Sequence, residues 1–161
     1  MTVRFVTIGV YGWEAHDFFL ALQAAGVDTF CDVRWRRGVR GSEYAFANSQ
    51  RLQDRLEALG IRYLHRRDLA PSPEVRAAQY DVDRAEKVAK RQRSILAAGF
   101  VDEYTAQVLA GSVPAAFVAE LGEAHVVALC CVERSPAACH RSLLAAHLSR
   151  VTGTNVEHLL P

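Results

Sequence analysis

The sequence predicts an α/β fold: a single three-layer domain with a mostly parallel sheet, helices on both faces and a helical insertion before the fourth strand. Three observations predict it. Short apolar runs rich in β-branched residues, such as Val3 to Ile8 and Val126 to Cys131, read as strands covered on both faces. Between such runs lie segments with apolar residues at helical spacing. Glycine or proline punctuates most junctions, as turns require. Strand and helix in alternation is the pattern of a parallel sheet, because parallel neighbours need a crossover long enough for a helix.

Taken in order, Val3 to Ile8 is a first strand ending at Gly9. Trp13 to Ala25 carries Phe18, Leu22 and Ala25 on one helical face, and Gly26 stops it. Val27 to Val33 is a second strand. Asn48 or Ser49 caps a helix bearing Leu52, Leu56 and Leu59, which Gly60 terminates. Ile61 to His65 is a third strand. Pro71 and Pro73 then interrupt the alternation, and a long helix is expected from about Glu74 to Ala98. Its charges pair at four-residue spacing (Asp83 with Lys87, Glu86 with Lys90), the mark of a solvated face. Shorter helices are expected over Val101 to Leu109 and Pro114 to Leu121. Val126 to Cys131 is the fourth strand. Ser135 and Pro136 supply an N-cap and a first helical residue for a helix reaching Arg150. Val156 to Leu160 reads as a last strand. No repeat and no long linker divides the chain, so one domain is expected.

Composition narrows the function classes. The chain has 161 residues, 50% of them hydrophobic, and 19 basic against 18 acidic groups for a net charge of +1. That is too apolar for a disordered chain. No run approaches the ~18 uncharged apolar residues of a membrane span. The first residues read as a strand and not as a signal peptide, so a cytoplasmic protein with reduced thiols is expected. Of the basic residues only Lys87 and Lys90 are lysine. The arginine total is best read as the composition of a GC-rich genome, which also favours the abundant alanine. Only local clusters carry information. Four cysteines (Cys31, Cys130, Cys131, Cys139) without a CxxC pair argue against a zinc ribbon or a disulfide scaffold.

In an open parallel sheet, ligands bind outside the carboxyl ends of the strands, so the segments just after each strand are the ones to read. After the second strand, Arg34, Arg36, Arg37 and Arg40 fall within seven residues, with Trp35 among them and Tyr44 and Phe46 following. Guanidinium groups contact phosphate and aromatic rings stack on bases, which suits a nucleotide or nucleic acid. The plainer reading is a surface loop of ion pairs. Asp32 can orient Arg34, act as a base or serve in a purely structural pair. His65, after the third strand, joins the same edge.

After the fourth strand, Cys131, Glu133, Cys139, His140 and Arg141 run into a helix start, where free N–H groups favour anions and lower a thiol pKa. Three readings compete. Cys139 or Cys131 is a nucleophile with His140 as base or orienting partner. Alternatively Cys131, Cys139 and a histidine, His140 or His65, bind a metal. In the third reading the thiols are core and the helix start binds an anion. Neighbours on a helix diverge by about 100°, which argues against Cys139 and His140 meeting at one atom. The pattern of cysteine, five residues and arginine is absent, against a phosphatase or rhodanese. Cys31 and Cys130 read as core packing.

The candidate catalytic set is therefore Cys131, Glu133, Cys139, His140 and Asp32. The candidate ligand set is Arg34, Arg36, Arg37, Arg40, Tyr44, Phe46, His65 and Arg141. No residue is assigned to a metal within these sets, and no cofactor is named. The expected partner is an anionic ligand, a nucleotide or nucleic acid. The alternatives are a non-catalytic interaction or scaffold module, or a Cys/His metal-binding domain.

Several stretches resemble a known family. Thr7-Ile8-Gly9, Asp32-Val33-Arg34, Gly60 to His65 and the run from Cys131 and Glu133 through Ser135-Pro136 to Cys139-His140-Arg141-Ser142-Leu143-Leu144 look like the bacterial domain of unknown function family 488. The resemblance implies a compact α/β domain with a parallel sheet and no established activity. It also implies that Asp32, Arg34, Cys131, Glu133, Cys139, His140 and Arg141 stand at the family's motif positions. Tyr44 and Phe46 fall where relatives carry an aromatic after a basic loop. Two departures stand out. Val10-Tyr11 replaces the usual His-Ser, and Ala70-Pro71 replaces a Gly-Gly pair.

Overall fold

The computed structural model describes residues 2–87 and 96–161. Five strands form one sheet in the order β3-β2-β4-β1-β5, and every pairing is parallel. The strands are β1 (Arg4–Gly9), β2 (Thr29–Asp32), β3 (Arg62–His65), β4 (Val126–Cys131) and β5 (Val156–Leu159). The expected "mostly parallel" sheet is thus wholly parallel. Burial follows the order. Central β4 is buried from Val127 to Cys131, whereas edge strand β5 leaves Glu157 and His158 exposed. Charged and polar residues suit an edge, where they discourage further strand pairing.

Helices cover both faces. On one side lie α1 (Ala15–Ala24) and α2 (Ser49–Ala58), with a 3-10 turn over Ser42–Ala47 that precedes α2 and packs against both. The other layer holds α4 (Ala98–Tyr104), packed against α6 (His140–Thr152) and α3 (Pro73–Ala85), with α5 (Val113–Leu121) following α4 through one π turn. The helices between β3 and β4 are the predicted insertion. Phe18, Leu22, Leu52 and Leu56 turn inward from α1 and α2 and are completely buried. Each such side chain stabilises the fold by about 1.5–3 kcal/mol. No helix among the described residues is long and apolar enough to cross a membrane.

Two expected elements are corrected. The long helix from Glu74 to Ala98 ends instead at Ala85, and Lys87 adopts φ 55°, a left-handed conformation no α-helix continues through. The expected pair of Glu86 with Lys90 lies partly outside the described residues. Asp83 is buried and accepts a hydrogen bond from Gln79 (2.8 Å), so it does not belong to a solvated face. Gln79 also accepts from the backbone N–H of Ala97 (2.7 Å), tying the returning chain to α3. Helix-favouring composition runs through this turn, so periodicity does not register it.

The second correction matters more for the site. Ser135 and Pro136 open only a 3-10 turn (Pro136–Ala138), and α6 starts at His140. Cys139 is the N-cap, in extended conformation (φ −137°, ψ 142°), and its sulfur accepts from the Arg141 N–H at 3.5 Å.

Candidate functional site

From β2 the chain moves outward to β3, and from β4 it moves the other way, past β1 to β5. Neighbouring strands whose connections leave in opposite directions make the crevice where ligands of open α/β sheets bind. A cavity of about 610 Å³ opens there, lined by Arg34 to Arg36 and Gly38 to Arg40 after β2 and by Cys131, Glu133, Cys139 and His140 after β4. Helix α3 contributes Arg76, Gln79 and Tyr80 to the wall, and α4 contributes Phe100.

On the β2 side Arg34 lines the cavity, with Asp32 behind it. Asp32 is completely buried and Arg34 is 2% exposed. The guanidinium is held in a fork, Nε to Oδ1 and Nη2 to Oδ2, both at 2.8 Å. Asp32 Oδ2 also accepts from the Tyr63 hydroxyl (2.8 Å), and Arg34 Nη2 donates to the Ala47 carbonyl (2.9 Å). Burial disfavours the charge on Arg34, but the hydrogen bonds and charge of Asp32 outweigh it and hold the guanidinium protonated. One donor is left over: Arg34 Nη1 is buried with no hydrogen-bond partner.

On the β4 side, two thiols, an imidazole and a carboxylate converge. Cys131 Sγ lies 3.7 Å from His140 Nδ1 and 3.6 Å from Glu133 Oε2, and Cys139 Sγ lies 3.8 Å from the same Nδ1. His140 Nε2 is 3.0 Å from the Val33 carbonyl, which can only accept, so Nε2 carries a proton and Nδ1 faces the sulfurs. The ring also packs edge-on against buried Tyr104, with centroids 5.4 Å apart. Burial pushes the Cys139 thiol up. The hydrogen bond to Cys131, the charges of His140 and Arg141 and the contact with His140 together more than reverse this, leaving it well below an ordinary thiol. The expected divergence of Cys139 and His140 does not occur, because Cys139 is extended and only His140 is helical.

Arg141, expected at the ligand, is buried inside the loop instead. Its Nη1 donates to the Glu133 carbonyl (2.6 Å) and its Nη2 to the Arg134 carbonyl (3.2 Å), pinning the backbone that carries Glu133. Phe46, expected to stack on a base, is core, packed against Phe18 and Phe19. Tyr44 does not line the cavity. Its hydroxyl accepts from the Gly12 N–H (3.2 Å), and its ring leans on Tyr11, which does line it. Arg37 reaches the Tyr63 hydroxyl (3.4 Å), and His65 Nε2 lies 2.9 Å from the Arg34 carbonyl, so both sit behind the wall. Asp32 likewise sits behind Arg34 and does not line the cavity. Cys31 and Cys130 are fully buried in the core, as expected.

Several wall residues escape a reading of the sequence. Arg76, Gln79 and Tyr80 stand at helical spacing on α3, but a helix read as solvated offers no reason to select them. Trp35 is held under Arg67, whose guanidinium lies 4.0 Å from the ring centroid. Tyr11 and Pro71 also line the cavity.

The model of the family described as "Domain of unknown function DUF488" matches residues 14–148. The chain belongs to this family. The DUF488 match takes in every residue of the two candidate sets, whereas β1, with Thr7-Ile8-Gly9, and β5 lie outside it. Neither a curated protein nor a solved structure matches the chain.

The buried thiols and phenols give the DUF488 domain an expected alkaline weakness. Burial, chiefly, pushes Cys31 well above the ordinary thiol range, and burial with the neighbouring Asp32 raises Tyr63. A group whose proton is held more tightly in the folded state stabilises below its unfolded pKa, and that stability is lost as pH rises above it. Cys139 shifts the other way, one group against Cys31, Cys130, Tyr63 and Tyr104. The urea midpoint should therefore fall steadily above pH about 9, less so in Cys31→Ala; a flat profile would contradict this linkage.

Proposed function

We propose that the cleft between the carboxyl ends of β2 and β4 binds a nucleotide-sized anionic ligand and acts on it with Cys131, Glu133, Cys139 and His140. The observation that carries this reading is the spare donor of Arg34. A buried, unpaired donor costs about 1–3 kcal/mol, more when charged, and a phosphate oxygen in the cavity would satisfy it. Asp32 fixes the guanidinium in advance, so binding spends little entropy on ordering it. Asp32 is thus a positioning residue, and Arg141 positions Glu133 through its backbone. Arg36 and Arg40 line the rim and add an attractive field for an anion. Trp35, Tyr11 and Phe100 offer aromatic surface for a base. The volume suits one nucleotide-sized molecule, since small-ligand pockets span about 300–1,000 Å³. A single nucleotide is favoured over a long nucleic acid because the cavity has room for one molecule of that size.

Calorimetric titration with the four nucleoside monophosphates and their nucleosides tests this. The phosphates should bind at least about tenfold more tightly than the nucleosides, and Arg34→Lys, which keeps a charge beside Asp32, should weaken them about 10–100-fold. Affinity should also fall between about 50 and 200 mM salt. Equal binding of nucleosides, or unchanged affinity in Arg34→Lys, overturns the reading. Tight binding of a single-stranded oligonucleotide, with a salt slope of several charges, would reassign the cleft to nucleic acid.

A further inference from the structure

The donor set at the β4 end carries more than a thiol–imidazole contact. Among the described residues, one group of three places its ligating atoms all within 4.8 Å of one another: Cys131, Cys139 and His140, each buried. We propose that these three residues bind one divalent transition-metal ion of the zinc class, with its fourth position open to the cavity. This inference goes beyond the ligand reading and stands without it.

Four features support the assignment. The separations fit. A tetrahedral zinc ion with Zn–S near 2.3 Å and Zn–N near 2.0–2.1 Å places sulfur and nitrogen about 3.6 Å apart. The two sulfur–Nδ1 distances are 3.7 and 3.8 Å, so an ion could be clasped with displacements of only tenths of an ångström. The histidine is set for ligation as well. Its Nε2–H is anchored on the Val33 carbonyl (3.0 Å), which turns Nδ1 to the sulfurs; such an outer hydrogen bond accompanies metal-bound histidine almost universally.

The backbone supplies the third feature. Cys131 ends β4, in register with Gly9 of β1, and Cys139 caps α6 in extended conformation, so one strand end and one helix start hold the three ligands. No loop rearrangement is needed to form the set. The fourth feature is the opening. All three residues line the cavity together with Glu133, so three protein ligands and a free position describe a catalytic type of zinc site, where structural sites close with four. Glu133 Oε2, 3.6 Å from Cys131 Sγ, stands beside the first coordination sphere, where a carboxylate can accept a proton from a metal-bound water. Two thiolates with one imidazole select zinc, or cobalt in its place, over magnesium and calcium, which take oxygen ligands.

The experiment uses the full chain without a histidine tag, expressed in zinc-supplemented medium and purified under reductant. Elemental analysis should find about one zinc per chain. Cobalt(II) added to the metal-free protein should produce the thiolate charge-transfer and tetrahedral d–d absorption of a two-sulfur site. Cys131→Ser, Cys139→Ser and His140→Ala should each lower zinc affinity at least about tenfold, and Cys31→Ala should leave it unchanged. If a variant fails to fold by circular dichroism, thiol labelling of the wild type substitutes for it. Bound zinc should then protect Cys131 and Cys139 from alkylation after mild unfolding, leaving Cys31 and Cys130 labelled. A folded, reduced chain with less than about 0.1 equivalents of zinc, or one joined by a Cys131–Cys139 disulfide under reductant, overturns the proposal. So does undiminished binding in the Cys131→Ser/Cys139→Ser double variant. Arg34→Lys should lose phosphate affinity and keep the metal, so failure of either reading is visible separately.

Discussion

Asp32→Asn is expected to cost the fold about 3–5 kcal/mol, the penalty for stranding a buried charge whose partner has been removed. Both carboxylate oxygens are engaged by donors alone: Oδ1 by the Arg34 backbone N–H and Nε, Oδ2 by Nη2 and the Tyr63 hydroxyl. Whichever way the asparagine amide turns, its NH₂ group meets a guanidinium N–H of Arg34, which cannot accept from it. The guanidinium is only 2% exposed, so solvent compensates little for the lost charge. Urea unfolding should show a lowered midpoint at unchanged slope. The double replacement Asp32→Leu/Arg34→Met should recover much of the loss, because no ion then remains buried. It should also abolish binding of the nucleoside monophosphates. A single variant as stable as wild type would show that the pair is solvated, and would remove the reason for treating Asp32 as a positioning residue.

Gly9→Ala is expected to disturb both the fold and the site, although the backbone at Gly9 has no positive φ that demands glycine. The constraint is space. A Cβ there would stand 1.8 Å from the Glu133 carbonyl oxygen and 2.8 Å from its carbon, and both are backbone atoms. That carbonyl is the one Arg141 holds at 2.6 Å, so it cannot retreat without breaking the contact that fixes the loop. Overpacking of this kind costs about 1–3 kcal/mol or more. The larger effect should be functional, since Glu133 and Cys131 move with the loop. Gly38→Ala provides the control: nothing lies within 4 Å of the methyl it would add, and the change should stay within about 0.5 kcal/mol. Equal stability and equal ligand and zinc binding in Gly9→Ala and Gly38→Ala would refute the steric constraint.

The two sides of the cleft differ in how far they can be read from sequence. Arg34 lies in a segment the strand-end rule picks out, but its fork on Asp32 is one of several roles the two-residue spacing allows, and the packing that buries both groups selects it. Phe46 and Trp35 share one loop and similar chemistry, yet one fills the core and the other faces the cavity. Only the 3-10 turn at Ser42–Ala47, with the Asn48 side chain holding the Val39 N–H (2.8 Å), decides between them. Arg141 is the same residue type as Arg34, and sequence alone groups the two. Packing instead commits Arg141 to two backbone carbonyls.

Arginine number is a property of the sequence, whereas arginine availability is a property of the fold. Arg34, Arg36, Arg40 and Arg76 line the cavity. Arg66 is taken up by ion pairs with Asp68 and Glu120, and Arg67 by the face of Trp35. The net charge of +1 does not distinguish them.

By itself the sequence determined the α/β class, the parallel sheet, the insertion before β4 and the membership in DUF488. The first three follow from hydrophobic period and from glycine and proline, which act over a few residues, and the last from the match of residues 14–148 to the family's model. Only the tertiary structure decided that Cys131, Cys139 and His140 meet, because the meeting depends on where α6 begins. A helix starting at Pro136 would have thrown Cys139 and His140 apart by about 100°. Starting at His140, with Cys139 extended, it turns both toward Cys131 at the end of β4. A difference of one turn in a helix start, set by packing against β1 and β4 and not by local propensity, separates two buried thiols from a three-ligand site.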